Sequence, residues 1–131
     1  RQIASHYRIT LGDALAAHER ALRHGGRDGI LNLNSIQSAI ARPYSGYYRR
    51  IHKKAAALTE SMTGNHGFVD GNKRTTLLLL TLLVDKSGYE ISPIGNENIF
   101  HSIEIMILAS ANRAMTFDEL DLWFRNRISK R

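Results

Sequence analysis

The run LLLLTLLV, residues 77–84, constrains the fold of this chain more than any other segment. A helix needs about 20 apolar residues to span a bilayer, so this run is too short for a membrane segment. It lies in a stretch that ends at Ser87-Gly88, a pair that commonly stops a helix. We therefore predict a buried core helix over residues 72–86 and no contact with a membrane.

Five further helices are predicted from apolar residues at helical spacing. Thr10 is expected to cap the first of them, and Gly25-Gly26 is expected to end it. Thr116 and Glu119 have the spacing of a capping box for the last. The predicted ranges are 11–24, 35–41, 47–63, 99–111 and 117–128. These elements predict one compact all-α domain of about six helices over residues 1–131.

The segments around the middle of the chain are less regular. Gly64-Asn65 is expected to break the helix over residues 47–63. Residues 89–91 are extended but too short to assign to a sheet. The apolar face of the helix over residues 47–63 is expected at Tyr47, Ile51, Ala55, Leu58 and Met62.

Composition limits the class of protein. The 131 residues include no cysteine, which excludes a disulfide framework and a thiolate metal site and fits a reducing compartment. Since no N-terminal signal pattern is visible, we expect a cytoplasmic protein. The net charge of +6 makes an acidic partner plausible, although many small domains are simply basic. The cluster RRIHKK, residues 49–54, is either a solvated helix face or a docking site for an acidic surface or RNA.

The stretch HGFVDGNKR, residues 66–74, places two cations at the start of the predicted core helix. Cations in a first turn oppose the helix dipole, and acidic residues normally stand there. A bound anion would compensate for Lys73 and Arg74, because free main-chain N–H groups at residues 71–74 would surround a phosphate together with the two side chains. Gly71 would let the main chain approach such a ligand closely.

Other residues of this stretch are suited to chemistry. His66 can accept a proton near neutral pH, and Asp70 offers oxygen ligands that suit Mg²⁺ held partly by phosphate. Phe68 and Val69 are apolar and are expected to anchor the loop in the core. A base, a metal ligand and a phosphate cradle within nine residues suggest transfer of a group from a nucleotide to a hydroxyl. Each residue alone also has an ordinary interpretation as a cap or a solvated side chain.

The stretch resembles the signature of the Fic/Doc superfamily. The AMP-transferring Fic branch has the pattern H-x-F-x-[DE]-G-N-G-R, and the death-on-curing (Doc) branch has H-x-F-x-[DN]-[AG]-N-K-R. Residues 25–43 also resemble the N-terminal loop and short helix of death-on-curing proteins, and the resemblance covers about residues 8–128. The second pattern is satisfied at all seven fixed positions, namely His66, Phe68, Asp70, Gly71, Asn72, Lys73 and Arg74.

The resemblance implies a toxin with protein kinase activity, because Doc-branch proteins transfer the γ-phosphate of ATP. Lys73 stands where the Fic branch has glycine, and the lysine would reverse the orientation of the nucleotide. The implied acceptor is a hydroxyl of a translation factor such as elongation factor Tu. On this resemblance His66 is the general base, Asp70 holds Mg²⁺ or orients the base, and Phe68 is structural. The phosphates would be bound by Gly71, Asn72, Lys73 and Arg74.

The resemblance also implies a partner that inhibits the protein. Many Fic-branch proteins carry a self-inhibiting helix with the pattern [ST]-x-x-x-E-[GN], and this sequence does not contain that pattern. Inhibition in trans is therefore expected, by an antitoxin similar to Phd, the partner of Doc, whose disordered tail folds into a groove of the toxin.

Three alternatives stay open at this point. The first is AMP transfer on the same scaffold, against which Lys73 argues. The second is a non-catalytic module that binds a nucleotide or a protein, against which the intact His66 and Asp70 argue. The third is an RNA-binding inhibitor of the ribosome. Because no aromatic platform for reading RNA is visible, a nucleic-acid partner is not expected.

Overall fold

The computed structural model describes residues 6–131, and the predicted all-α fold is confirmed in them. A small antiparallel sheet pairs β1 (Tyr89–Ile91) with β2 (Ile128–Lys130). The predicted domain range also includes residues 1–5, which lie outside the described residues. The helices are α1 (Leu11–Ala21), α2 (Leu33–Ala41), α3 (Ile51–Asn65), α4 (Asn72–Lys86), α5 (Ile99–Ala111) and α6 (Phe117–Arg125).

The leucine run lies in α4, between two cores. Leu79 and Leu83 pack in a core with residues of α1, α2 and α3. Leu80 and Val84 pack in a second core with residues of α3, α5 and α6. A helix buried on two faces has no polar stripe, which explains why this segment is apolar without an amphipathic period. The predicted core helix over residues 72–86 is confirmed with the same bounds.

α3 is the other central element. It contacts α2, α4, α5 and α6. Ala55, Ala56 and Ala57 are fully buried on it, and their small side chains let neighbouring helices approach closely. The two central helices, α3 and α4, follow each other in the chain. The loop that joins them, residues 66–71, is therefore held at both ends by the most buried part of the fold.

The predicted helix over residues 47–63 is wrong at both ends. α3 begins at Ile51, and Tyr47 is 85% exposed rather than part of the apolar face. Gly64 and Asn65 do not break the helix but form its last turn. His66 ends it instead, in the left-handed conformation that usually falls to glycine.

Other helix boundaries differ for identifiable reasons. α2 begins at Leu33, before the predicted start at Ser35, because the Asn32 side chain accepts a hydrogen bond from the Ser35 N–H at 3.1 Å and caps the helix. α6 ends before the predicted Ile128 because that residue pairs with Ile91 in the sheet. The segment 89–91, left unassigned from sequence, is thereby a strand. No helix in residues 6–131 combines the length and the apolar character needed to cross a membrane.

Candidate active site

His66 stands at the junction of α3 and α4 with a strained backbone. It has φ 47° and ψ 52°, a left-handed conformation that side-chain-bearing residues rarely adopt. This conformation turns the chain out of α3, and the His66 side chain is exposed. Strained residues of this kind cluster at functional sites because surrounding structure holds them in place.

Phe68 fixes the loop to the core, whereas the same prediction for Val69 is wrong, because its side chain is 40% exposed. The Phe68 side chain is 1% exposed and stacks on the ring of His18, with centroids 3.8 Å apart. The Asn72 amide binds the Phe68 main chain on both sides, accepting from its N–H at 3.1 Å and donating to its carbonyl at 2.9 Å. Because both ends of this amide are engaged, Asn72 is left with its main-chain N–H for any ligand.

Gly67 is required by close packing rather than by backbone conformation. A Cβ at this position would overlap Cγ1 of Ile36 on α2. The Gly67 carbonyl accepts hydrogen bonds from the N–H groups of Leu31 and Asn32 at 2.9 and 3.0 Å. The loop before α2 is therefore held directly against the loop before α4.

Asp70 is an ionised acceptor. Its Oδ1 accepts from the Gly71 N–H at 2.8 Å, and its Oδ2 accepts from the Arg27 N–H at 3.1 Å. These two hydrogen bonds lower the pKa of Asp70, and the positive charges of Arg74 and Arg27 lower it further. The carboxylate is exposed, so each oxygen keeps lone pairs directed to solvent.

α4 begins without a capping side chain. Gly71 precedes it with φ 78°, and its N–H is engaged by Asp70, so the prediction of a free N–H at this residue is wrong. The N–H groups of Asn72, Lys73 and Arg74 have no acceptor within residues 6–131. The Lys73 side chain is exposed and has no ion-pair partner in the same range. The helix start therefore offers three donors and a free cation.

Arg74 behaves differently from Lys73. Its Nη1 donates to the Ala21 carbonyl at 2.9 Å, at the end of α1, where a cation is favourable. It also lowers the pKa of Asp70 by its charge. The idea that a bound anion compensates both cations therefore needs correction, since Arg74 is compensated within the protein. Lys73 alone has no such compensation among the described residues.

A pocket of about 620 Å³ brings these groups together. Of the seven fixed positions of the sequence motif, six line it, and the seventh, Phe68, is buried in the core. Gly25 and Gly26 form the opposite wall, where a Cβ on Gly26 would lie 3.2 Å from Oδ2 of Asp70. The predicted residues that line the pocket are His66, Asp70, Gly71, Asn72, Lys73 and Arg74.

A metal ion at Asp70 would need ligands beyond the side chains of residues 6–131. Residues 6–131 contain no group of three or more His, Cys, Asp or Glu side chains placed to hold a metal ion. A magnesium ion at Asp70 would complete its coordination with phosphate oxygens and water, as this ion commonly does.

The sequence analysis missed a role for His18. This side chain is 4% exposed, stacks on Phe68, and its Nε2 lies 2.7 Å from the Asp70 carbonyl oxygen. One residue thus positions both the anchor and the acid of the loop. A buried histidine on an otherwise alanine-rich helix face was the available signal, but its partners lie about 50 residues away in sequence and have no local pattern.

Comparison with known proteins covers most of the residues that line this pocket; the lining residue Ala111 lies outside the matched range. The model of the Fic/DOC family matches residues 8–84, which run from before α1 to within α4. A protein named Toxin Doc, from Mycolicibacterium smegmatis, is 38% identical over 77 residues. The aligned part is 55% of this chain and 59% of that relative, so the chain covers less than two thirds of the relative's length.

Proposed function

Because the chain belongs to the Fic/DOC family, we propose that it is a Doc-like toxin of a toxin–antitoxin pair. It transfers the γ-phosphate of ATP to a serine or threonine hydroxyl of a translation factor, elongation factor Tu being the first candidate. The observation that carries this proposal is the uncapped start of α4. Three unengaged N–H groups and an unpaired Lys73 face the same pocket as His66.

The start of α4 fits a nucleotide phosphate. Unpaired N–H groups at a helix N-terminus bind anions, and Lys73 adds a full positive charge. Gly26, on the opposite wall of the pocket, adds no side chain beside the Asp70 carboxylate, where its Cβ would lie 3.2 Å from Oδ2. These groups are fixed before ligand arrives, which is what stabilisation of transferred phosphoryl charge requires.

His66 takes the proton of the acceptor hydroxyl. The hydroxyl oxygen then forms a bond to the γ-phosphorus, and the bond from that phosphorus to the β–γ bridging oxygen breaks. ADP leaves with the electron pair of the broken bond. Asp70 would hold Mg²⁺, which would neutralise phosphate charge when bound. Its lowered pKa keeps the carboxylate ionised for this role at neutral pH.

Lys73 favours γ-phosphate transfer over AMP transfer. The AMP-transferring pattern has glycine at this position, which leaves room for a phosphate against the helix start. Lysine fills that space and moves the positive charge outward, so the nucleotide binds in the reverse sense. AMP transfer is the competing function, because the three free N–H groups would accept phosphates in either orientation.

A protein acceptor suits the surface beside the pocket. Ile30 forms a bridge to Phe68, and the side chains of Ile30 and Val69 are 49% and 40% exposed. Leu31, at 67% exposed, continues this apolar strip, and its N–H donates to the carbonyl of Gly67, the residue next to His66. Such a strip offers contact area to a protein that approaches His66. A Phd-like antitoxin that binds in trans would block the same approach.

Paired labelling tests the proposal. The protein is incubated with Mg²⁺ and elongation factor Tu, with ATP labelled at the γ-phosphate in one reaction and at the α-phosphate in the other. Label on the factor from the γ position alone is the expected result. Label from the α position would replace the kinase assignment by AMP transfer.

Two variants control this experiment. His66→Asn should remove the label, whereas His101→Asn changes an exposed histidine on α5 and should not. If neither label transfers but the wild type still binds ATP, the chain is a non-catalytic nucleotide-binding module or acts on a different acceptor. A screen of cell extract with both labels separates these two cases.

A further inference from the structure

A second and larger concave surface lies between the segment before α3 and the β1–β2 sheet. Its volume is about 1140 Å³, and among the described residues it shares no lining residue with the pocket at His66. We refer to it as the basic groove, after the cationic and histidine side chains on its walls. Those that matter here are His6, Arg49, Arg50, Lys54 and Lys130.

The basic groove has positive charge without internal compensation. Within the described residues, no aspartate or glutamate lines it. Lys54 Nζ lies 2.8 Å from Nδ1 of His6 rather than beside a carboxylate. Arg49, Arg50 and Lys130 make no ion pair within residues 6–131.

The cluster RRIHKK divides into two parts. Lys53 Nζ binds Asp121 of α6 at 2.6 Å, and His52 binds the other carboxylate oxygen of Asp121. Arg49, Arg50 and Lys54 have no carboxylate and face the groove instead. Burial lowers the pKa of Lys54, which indicates that its ammonium lacks both full solvation and a counter-ion. Asp121 thus binds two side chains of this cluster. The three side chains on the groove side have no carboxylate partner among residues 6–131.

One wall of the basic groove is the edge of β2 that pairs with no other strand among residues 6–131. The groove is lined by three consecutive residues of β2, Ile128 to Lys130. Successive side chains of a strand point to opposite faces of the sheet, so a groove that lay on one face would contact only every second residue. The strand therefore meets the groove along its edge. The Arg131 N–H donates to the Gly88 carbonyl at 3.1 Å, and the register pairs Lys130 with Tyr89. In an antiparallel ladder this pattern directs the N–H and C=O of Ile128 and Lys130 away from β1.

We propose that the basic groove binds an extended acidic segment of a partner protein, which adds to β2 as a third strand. The outward N–H and C=O groups of β2 would pair with the segment's main chain, and its carboxylates would meet Arg49, Arg50 and Lys130. The basic groove is distinct from the pocket at His66. The proposal therefore does not depend on which group is transferred there.

A protein segment fits this groove better than nucleic acid does. Single-stranded nucleic acid binds by stacking bases on aromatic rings. The Tyr44 ring in this groove is covered by Arg8, whose guanidinium carbon lies 4.8 Å from the ring centroid. Arg42 covers the Tyr48 ring at 5.4 Å in the same way. A strand edge, by contrast, matches the spacing of a polypeptide main chain and not that of a phosphodiester chain.

Binding of defined peptides tests the inference. The probe is a fluorescein-labelled peptide of alternating glutamate and valine, titrated with the full chain at low salt. Its counterparts carry lysine in place of glutamate, or proline in place of valine, which removes main-chain donors. The glutamate–valine peptide should bind and the other two should bind at least about tenfold more weakly. Equal binding of the lysine peptide would overturn the charge argument, and equal binding of the proline peptide would overturn strand addition.

Two variants of equal charge change locate the site. Arg49→Glu with Arg50→Glu should weaken peptide binding about tenfold or more, whereas Arg20→Glu with Arg125→Glu, on α1 and α6, should change it less than about twofold. The Ile128 and Lys130 amide protons should exchange more slowly when peptide is bound. The Ser129 amide, which already pairs with Glu90, should not change. Loss of binding in both double variants, or unchanged exchange at all three amides, would refute the site.

Two competitors distinguish other ligands of the same charge. Inorganic phosphate should displace the peptide only at concentrations far above that of the peptide itself. If phosphate competes equally well, the groove is a simple anion site and the proposal fails. If an oligothymidylate binds more tightly than the peptide and the Arg49 and Arg50 substitutions abolish that binding, the partner is nucleic acid and the proposal is again refuted.

Discussion

α4 and α6 begin in opposite ways. At α6, Thr116 accepts from the Glu119 N–H at 3.1 Å, Glu119 accepts from the Thr116 N–H at 2.9 Å, and two acidic residues stand in the first turn. At α4 no side chain caps the helix, Gly71 precedes it, and Lys73 stands in the first turn. The first arrangement satisfies N–H groups within the protein, and the second leaves them available.

The difference separates a helix start that stabilises the fold from one that binds a ligand. A capping box contributes to stability because it satisfies donors that the helix itself cannot. The start of α4 forgoes this contribution, and Lys73 adds an unfavourable charge to the helix dipole. The stability of α4 comes instead from burial on two sides, which lets its first turn be arranged for an anion.

Substitution of His66 should have the largest effect. Asparagine tolerates the left-handed conformation but cannot act as a base at neutral pH, so His66→Asn should keep the fold. We expect the rate of transfer to fall by about two to four orders of magnitude while the melting temperature stays within a few degrees. Label incorporation and circular dichroism measure the two effects. If the His66→Asn variant transferred at the wild-type rate, His66 would not be the general base.

Lys73→Glu should separate binding from stability at the start of α4. We expect transfer to fall about a hundredfold or more, because the phosphate would meet a negative charge. The free energy of unfolding should rise by about 0.3–1 kcal/mol, because an acid in the first turn suits the dipole. Lys86→Glu, at the other end of the same helix, should show the reverse pattern of normal transfer and lower stability. Chemical denaturation and the transfer assay distinguish them.

Thr116→Ala should affect stability alone. Loss of the side-chain acceptor at α6 should lower the free energy of unfolding by about 1 kcal/mol. Transfer should be unchanged at temperatures where the variant is folded. Thr81→Ala, in the middle of α4, removes an exposed hydroxyl that caps nothing and should not reduce stability. If Thr116→Ala impaired transfer as strongly as Lys73→Glu, the proposed difference between a stabilising start at α6 and a ligand-binding start at α4 would be wrong.

A smaller effect concerns charges that are satisfied inside the protein, in contrast to Lys73. Hydrogen bonds from Arg127 to Glu97 lower the pKa of Glu97 from its usual 4.5 to about 2. Since folding lowers this pKa, the pair stabilises the protein above pH 4.5 and loses its contribution as the pH falls toward 2. Glu97→Gln should be less stable than the wild type at neutral pH, and the difference should disappear near pH 2. A constant difference across this range would contradict the assigned pKa.

Much of the fold could be predicted from local sequence. α4 was predicted with its observed bounds because an apolar run interrupted only by Thr81 can be buried in few ways. The capping box of α6 also depends on residues three apart, which the sequence displays directly. Thr10 was predicted only as the cap of α1, and the structure adds Asp13 as the second member of a capping box there. The short sheet was not predictable, because β1 and β2 pair across residues 89–130 and neither has enough length to show a pattern.

The residues of the candidate active site were predictable as a set, but their individual contacts were not. Asn72 was predicted to bind phosphate, yet its amide holds the Phe68 main chain. Arg74 was predicted to need an anion, yet it binds the carbonyl that ends α1. Both outcomes depend on how distant or adjacent segments meet in three dimensions. Types of side chain and their spacing indicate the chemistry of a site, whereas folding decides which donors are left free.

The free edge of β2 has a consequence for how the molecule behaves at high concentration. An exposed edge can pair with the same edge of a second copy, and such contacts lead to aggregation. Two copies brought together in this way would place Arg49, Arg50 and Lys130 of each against those of the other. Their repulsion acts over about 8–10 Å at moderate ionic strength and weakens as salt is added. The charges of the basic groove should therefore oppose pairing of two copies through this edge, and added salt should weaken that opposition.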